Sequence, residues 1–376
     1  YSFCKSHSAS YALVSYRLAW CKTYYPLEFF VSVINNGGGF YGRQVYLDEA
    51  RRHGARIMGP DINKSLWEYS LEGDIIWAGL AQIKEFPREK MEEILRERER
   101  GGVYRGIFEF LGRTGPKPAE FRVLIRSGAL DLIRGNYTRP QLFWLYSRIG
   151  NDPPLFPPAI PSCIGDYKKE TKLKDEIRFL GLLCSRHPLE VFRPRVLRFV
   201  GRGKFPPLID SKAFKRPFHL LLSAEADGTD GVRACGRSRP SHSQSGVWRE
   251  KEASKEVSIP GMVIAGKEVK TRKKEYMSFL SFEDEYGVFE TVLFPDIYRK
   301  FFRLFDEAVV FLVVGRITQE FGVPILEVRE LHPLNRRSRI DNEEISGYLH
   351  FCEKRGTERQ PVHLSSVESR GDPHFS

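Results

Sequence analysis

The feature that most constrains this chain is a change in hydrophobic periodicity near residue 257. Before it, apolar residues recur at the three- and four-residue spacing of amphipathic helices, and after it they alternate as they do in strands. The later segments follow the order strand, strand, strand, helix, strand, strand, which is the order of an OB-fold barrel. The pattern predicts a multidomain protein, mostly α-helical in its N-terminal two thirds, then a small all-β OB-fold barrel at residues 257–334.

Proline and glycine punctuate the helical part. Pro87 opens a charged helix that Gly101 and Gly102 would end. Residues 151–224 hold many prolines and few clear periods, whereas residues 225–256 and 335–376 are polar, which is typical of linkers and disordered tails. Further helices are predicted at residues 6–22, 26–36, 44–53, 104–112, 118–127 and 139–149.

Composition indicates which classes of partner the protein can bind. The 376 residues carry a net charge of +11, which favours a polyanionic partner, either nucleic acid or an anionic membrane surface. No run of 18 apolar residues occurs, so no membrane span is expected. The six cysteines form no C-x-x-C pair, which indicates reduced thiols in the cytoplasm and no bound metal. The chain opens at Tyr1 without a visible signal peptide, so we expect a truncated product or a gene fragment.

The first candidate site is the start of the first helix. Lys5, Ser6 and His7 lie where a helix N-terminus offers free N–H groups and a positive dipole end. Together they would suit a phosphate. The alternative is a capped surface helix with an incidental lysine.

A second candidate lies among the short helices of residues 61–150. Tandem helices joined by tight turns can hold a DNA backbone without reading its sequence, and cations near the turns add salt-dependent affinity. The alternative is a plain helical bundle. The candidate DNA-binding residues here are Lys84, Arg126, Ser127 and Gly128.

The third candidate is the first hairpin loop of the barrel. It places four cations where OB-folds receive single strands, and Tyr276 follows it directly. The nearby rings could stack on bases, although alternation sends some of them into the core. The alternative is a merely solvated turn. The cations are Lys270, Arg272, Lys273 and Lys274, and the rings are Tyr276, Phe279, Phe282 and Phe289.

A fourth candidate is the apolar pair Leu155 and Phe156. Such a pair on an exposed connector can anchor in a pocket of a partner protein. The alternative is a proline-rich connector tucked onto the surface.

Several segments resemble the C-family of bacterial DNA polymerases and occur in that family's order. The resemblance covers about residues 1–220 and 257–334. The matching segments are residues 1–16, 25–29, 39–41, 49–52, 59–65, 96–102, 124–131, 179–182 and 187–189.

The resemblance implies an organisation and a function. Residues 1–60 would be the end of the polymerase fingers, with Lys5, Ser6 and His7 close to the incoming nucleotide. Residues 61–150 would be a helix-hairpin-helix module on duplex DNA, and residues 151–256 a basic, partly flexible connector whose Leu155 and Phe156 bind the sliding clamp. The barrel would lie near the single-stranded template. Mg²⁺ would serve the intact polymerase but would not be bound by this fragment, and other replisome subunits would be partners.

The chain departs from the family in three places. The palm aspartates that catalysis needs would precede Tyr1, so the chain is expected to be inactive alone. Glu85 follows Lys84 where the family has a Gly-x-Gly turn, and Asp152 replaces the glutamine of the clamp peptide.

The acids at 283–285 lie in a predicted turn, where carboxylates are usually solvated, and supply no two-metal site.

Two rival functions remain open. One is a non-catalytic single-stranded DNA-binding or adaptor module, and the other is an RNA-binding OB protein of the tRNA-recognition type. The fingers-like segment at residues 1–50 argues against both.

Overall fold

A computed structural model gives the architecture of most of the chain. It describes residues 5–37, 39–152, 156, 158–203, 205–215, 256–320 and 323–334. The predicted linker at 225–256, apart from Glu256, and the predicted tail at 335–376 lie outside the described residues. Leu155 also lies outside them.

Three helices open the chain: α1 (Lys5–Tyr24), α2 (Pro26–Asn36) and α3 (Arg43–Arg52). Pro26 begins α2 and Gly37, at φ 62°, ends it, as the sequence predicts. The described start of α1 is Lys5, so Ser6 lies inside the first turn rather than capping it. None of the α1 side chains is buried.

The next region is a helical module with a small sheet that sequence patterns did not predict. The strands are β1 (Arg56–Met58), β2 (Ser70–Glu72) and β3 (Ile75–Trp77), with β3 in the middle. Strands of three residues are too short to display alternation. The predicted helices are confirmed within a few residues: α4 (Arg88–Gly101), α5 (Ile107–Thr114), α6 (Pro118–Ser127) and α7 (Arg139–Ile149).

Three more helices occupy the stretch in which the sequence showed few periods. They are α8 (Lys169–Leu180), α9 (Pro188–Val200) and α10 (Ser211–Phe214). The interpretation of residues 151–256 as a connector is therefore corrected for this part. Prolines hide the pattern: Pro194 lies inside α9, and Pro188 forms its first turn. Among the described helices, none is long and apolar enough to cross a membrane.

The C-terminal region is a closed five-stranded barrel, which confirms the predicted OB order. Its strands pair in the order β4, β5, β6, β8, β7, and β7 returns to pair with β4. The elements are β4 (Glu256–Lys270), β5 (Tyr276–Glu283), β6 (Val288–Leu293), α11 (Pro295–Phe301), α12 (Leu304–Glu307), β7 (Val310–Glu320) and β8 (Val323–Pro333).

The barrel core also takes residues from well upstream of residue 257. Phe214 of α10 is buried in the same cluster as Phe282 and Phe289, whose rings stack at 5.6 Å between centroids. The Ile209 N–H donates to the Ser258 carbonyl at 2.9 Å, so the segment before α10 hydrogen-bonds to β4. Residues 205–214 therefore belong to the barrel.

Candidate nucleic-acid interface

The basic loop of the barrel is residues 270–274, at the tip of the β4–β5 hairpin. The Thr271 N–H donates to the Glu275 carbonyl at 2.8 Å, and the Lys274 N–H donates to the Thr271 carbonyl at 2.9 Å. These bonds tie the loop's backbone, while Lys274 takes a left-handed φ of 63°. The side chains of Lys270, Arg272, Lys273 and Lys274 are all exposed.

The four aromatic rings near this loop divide into two pairs. Tyr276 is 48% exposed and Phe279 is 39% exposed, whereas Phe282 and Phe289 are buried in the core. The Lys270 ammonium lies 4.9 Å from the centre of the Tyr276 ring, a cation–π contact. A phosphate-binding charge and an exposed ring thus lie side by side, the pairing that single-strand binding uses.

The second candidate, the turn after α6, keeps its side chains inside the protein. Arg126 pairs with the buried carboxylate of Asp175 and lies over the Phe179 ring, 5.5 Å from its centre. Ser127 is buried and its hydroxyl donates to the Leu124 carbonyl at 3.1 Å. These two side chains hold α6 against its neighbours, and the prediction that they bind DNA has no support from their placement.

The backbone of this turn is also occupied. The Gly128 N–H donates to the Ile125 carbonyl at 3.2 Å, and the Ala129 N–H donates to the Leu124 carbonyl at 3.0 Å. Gly128 adopts φ 87°, which ends α6. An added Cβ at Gly128 would lie 2.5 Å from the guanidinium of Arg139, so that side chain would have to shift, and the positive φ itself favours glycine.

The first turn of the helical module presents an acid. Glu85, where the family has a glycine turn, adopts a left-handed φ of 61° that glycine would take without strain. Its exposed carboxylate lies 3.4 Å from Arg178. Lys84 is exposed, and its backbone N–H donates to the Phe179 carbonyl at 2.7 Å. A carboxylate beside Lys84 weakens the attraction of this turn for phosphate.

The first candidate site does form one turn of helix. Lys5, Ser6 and His7 are exposed on the opening turn of α1. The His7 ring contacts Tyr11 edge-on, with centroids 4.5 Å apart. The three side chains therefore share one exposed helical turn, and a role in nucleotide binding stays a prediction.

A buried charge cluster joins α3 to the barrel. Arg52 donates to Glu283 at 2.8 Å across 231 residues of chain, and both side chains are buried or nearly so. His187 Nε2 lies 3.8 Å from Asp48. The sequence prediction of solvated acids at 283–285 is wrong for Glu283 and Asp284, because their partners come from distant segments. Asp284 accepts from the Ser211 N–H at 2.6 Å and from the Gly287 N–H at 2.9 Å.

Burial shifts the protonation of this cluster. Burial raises the pKa of the Glu283 carboxyl, the Asp48 carboxylate adds to that rise, and Arg52 opposes it. Burial also lowers the pKa of His187 to about 3, with Arg52 and Arg51 adding to the effect. At neutral pH the imidazole is therefore uncharged.

Asp48, His187 and Glu283 also place one ligand atom each within 4.8 Å of one another, close enough to hold a metal ion. The hydrogen bonds argue against one. His187 Nδ1 accepts from the Leu189 N–H at 3.1 Å, so the proton of the neutral ring is on Nε2, the atom that would have to bind the ion. Arg52 already supplies the positive charge. The cluster is an ion-pair network that fixes the barrel on α3.

The predicted clamp peptide is only partly described. Phe156 is 81% exposed, as an anchor residue must be before a partner binds. Its predicted companion Leu155 is outside the described residues.

Comparisons with known proteins follow the same division of the chain. Residues 54–142 match the family model of the helix-hairpin-helix motif. DNA polymerase III subunit alpha of Escherichia coli K12 is 26% identical over 85% of this chain and 26% of its own length. An error-prone DNA polymerase of Anaeromyxobacter dehalogenans is also 26% identical, over 89% of this chain and 27% of its own.

These comparisons confirm the resemblance to bacterial DNA polymerases that the sequence shows. In particular, the chain is similar to part of DNA polymerase III subunit alpha. It spans about a quarter of the length of the relatives it matches. The second OB-fold domain of replication protein A from Methanococcus maripaludis aligns with 23% of this chain and 88% of its own length at 16% identity. The TM-score is only 0.17.

Proposed function

We propose that this chain is a DNA-binding portion of a replicative DNA-directed DNA polymerase. The observation that carries the proposal is the basic loop of the barrel, with exposed cations beside the exposed ring of Tyr276. The helix-hairpin-helix match and the similarity to polymerase III alpha subunits support it.

The loop would bind single-stranded template in preference to duplex. Its cations would attract phosphates and release counterions, which makes affinity fall as salt rises. Bases freed from a duplex can stack on the ring of Tyr276, whereas bases inside a duplex cannot reach it. No group in the loop selects one base over another, so weak sequence preference is expected.

The test is a titration of the full chain with single-stranded oligonucleotide at several salt concentrations. The variant changes Lys270, Arg272, Lys273 and Lys274 to alanine. A matched control removes four exposed cations that are ion-paired elsewhere, namely Arg56, Lys64, Arg88 and Arg100.

The loop variant should bind more weakly, and its log–log salt slope should fall by about 0.7 for each lost phosphate contact. The control should stay near the parent. Equal affinity and slope for parent and loop variant would leave the loop as a solvated turn and remove the observation on which the proposal rests.

The proposal extends to catalysis in the intact enzyme. Lys5, Ser6 and His7 would lie close to the nucleotide phosphates, and Mg²⁺ would serve catalysis in the intact polymerase. The described residues offer no pair of clustered aspartates fit for two metals, so none is assigned to them. The purified chain should not extend a primer, and template-dependent extension by it would contradict this. In the full-length polymerase, Lys5→Ala should raise the nucleotide KM or lower kcat.

The exposed Phe156 would anchor a sliding clamp, and other replisome subunits in the cytoplasm would complete the assembly. Exposure of the ring and the resemblance of this segment to a clamp peptide support the idea. A Leu155→Ala, Phe156→Ala variant should lose clamp affinity, measured on immobilised clamp. Unchanged affinity would end this part of the proposal.

A further inference from the structure

Helix α9 has two chemically distinct faces. Its inward face packs on the barrel: Leu189 and Val196 are buried in one cluster with Met262, and Phe192 and Phe199 pack beside them. The opposite face is basic, with Arg195 and Arg198 exposed. The spacing of the inward residues fixes the helix's orientation, so the arginines must point away from the barrel.

A third arginine continues the same face. Arg202 is exposed, and its N–H donates to the Phe199 carbonyl at 3.2 Å, so the turn carries on past the end of α9. Residues 195, 198 and 202 follow the three- and four-residue spacing that puts side chains on one side of a helix. The three span roughly 10 Å at about 1.5 Å per residue.

These three neighbouring arginines share one property besides their exposure, which is the lack of an acidic partner. Within the described part of the chain, no carboxylate forms an ion pair with Arg195, Arg198 or Arg202. The neighbouring Arg193 does pair, with Glu285 at 3.7 Å. Three other exposed arginines do have an acid and can serve as controls: Arg56 pairs with Asp74, Arg88 with Glu92 and Arg100 with Glu97.

The surrounding sequence sharpens the contrast. Between residues 193 and 215 the chain carries seven Lys or Arg and one acid, Asp210. That carboxylate is used within the fold, because it accepts from the Ala213 N–H at 2.7 Å and caps α10. Apart from Arg193, the described cations of this stretch form no ion pair with a described carboxylate.

We propose that the outward face of α9, defined by Arg195, Arg198 and Arg202, binds the sugar-phosphate backbone of DNA. This inference rests on the function proposed above and adds a second contact, separate from the basic loop. One DNA strand presents a phosphate about every 3.4 Å of axis, so a row of roughly 10 Å meets successive phosphates. Arginine's forked guanidinium suits bidentate phosphate contacts, and nothing on this face reads bases.

The experiment uses the full chain and a primed template that has both duplex and single-stranded parts. The variant is Arg195→Ala, Arg198→Ala, Arg202→Ala. The control, Arg56→Ala, Arg88→Ala, Arg100→Ala, removes the same charge from paired positions. Affinity is measured at several salt concentrations, and thermal unfolding checks that both variants fold. A second probe, poly-glutamate, offers negative charge without phosphates.

The α9 variant should bind the primed template at least tenfold more weakly than the control and show a lower salt slope. Equal loss in the two variants would mean that only net charge matters and would overturn the inference. An equal loss of poly-glutamate binding would overturn its phosphate selectivity. If the parent binds DNA and the basic-loop variant weakens it while the α9 variant does not, this inference fails and the proposed function stands. A parent chain that does not bind DNA overturns both.

Discussion

The turn after α6 and the basic loop of the barrel carry similar cations but use them differently. At the turn, Arg126 is paired with buried Asp175 and Ser127 is buried. In the loop, the four cations are exposed at the tip of a hairpin. The same residue types therefore fix a fold in one region and remain available to a ligand in the other.

The difference follows from what lies behind each site. The turn ends a helix that packs against α8, whose Asp175 is buried and must have a partner. The hairpin tip extends beyond its strands, so its side chains stay in water. Whether a cation can bind DNA is decided by its neighbours in the folded chain.

The largest effect should come from breaking the ion pair at the turn after α6. Arg126→Ala would leave Asp175 buried without its ion-pair partner, which should lower the free energy of unfolding by about 3 kcal/mol. DNA affinity of the folded protein should change little. Arg122→Ala, on an exposed position of the same helix, is the control. Urea denaturation and DNA titration measure both quantities, and a normal stability with lost DNA binding would reverse the assignment of Arg126.

The next prediction concerns the basic loop, where the exposed ring of Tyr276 lies beside the cations. Tyr276→Ala should weaken single-strand binding by about 1–3 kcal/mol, because a stacking surface is lost. Tyr286→Ala removes an equally exposed tyrosine, also 48%, from another part of the barrel and should have no effect. Tryptophan at 276 should restore binding. A null result for Tyr276→Ala would restrict the loop to phosphate contacts.

The stability contributed by the buried charge cluster that joins α3 to the barrel should depend on pH. Glu283 holds its proton more tightly in the folded protein than at its ordinary pKa of 4.5. Its contribution is thus complete below pH 4.5 and is lost as pH rises through the raised pKa. Glu283→Gln should remove this loss and flatten the stability curve by up to about 1.4 kcal/mol per pH unit.

The acid limb of the same curve serves as a control. His187, with its pKa lowered to about 3, binds its proton more weakly in the folded state, so stability is lost as pH falls below 6.5. That limb should persist in the Glu283→Gln variant. Urea midpoints measured across the pH range decide the matter, and an unchanged alkaline limb would contradict the assignment.

The smallest effect concerns two residues with a left-handed backbone, one in the helical module and one in the basic loop of the barrel. Glu85 and Lys274 both have positive φ without being glycine, so glycine at either position should stabilise the protein by about 1 kcal/mol. The DNA effects should be opposite: Glu85→Gly removes a repelling acid, whereas Lys274→Gly removes an attracting cation. Thermal unfolding and DNA titration of both variants test this, and the same direction of DNA effect in both would break the comparison.

Local sequence patterns predicted elements well wherever the chain marks its own boundaries. Proline and glycine located α2 and α6, and alternation located β5 and β6. The closed barrel followed from the order of these strands. Long strands with one buried face can be recognised in the sequence because their side chains alternate between core and solvent.

What the sequence could not show are contacts made over long separations. Arg52 and Glu283 are 231 residues apart, and nothing near either one indicates the other. For the same reason local patterns do not indicate the pairing of Arg126 with Asp175, and they predict a DNA-binding role for a turn whose side chains lie against the protein. Side-chain partners depend on tertiary packing, which local patterns do not encode.

The contribution of residues 205–214 to the barrel makes that domain discontinuous in sequence. The edge hydrogen bonds at Ser258 and the core position of Phe214 hold both ends of the intervening stretch, from Lys215 to Glu256, on one folded body. A cut at residue 257 would therefore not isolate the barrel. A fragment that begins there would lose Phe214 from its core and the hydrogen bond that Ile209 makes with Ser258.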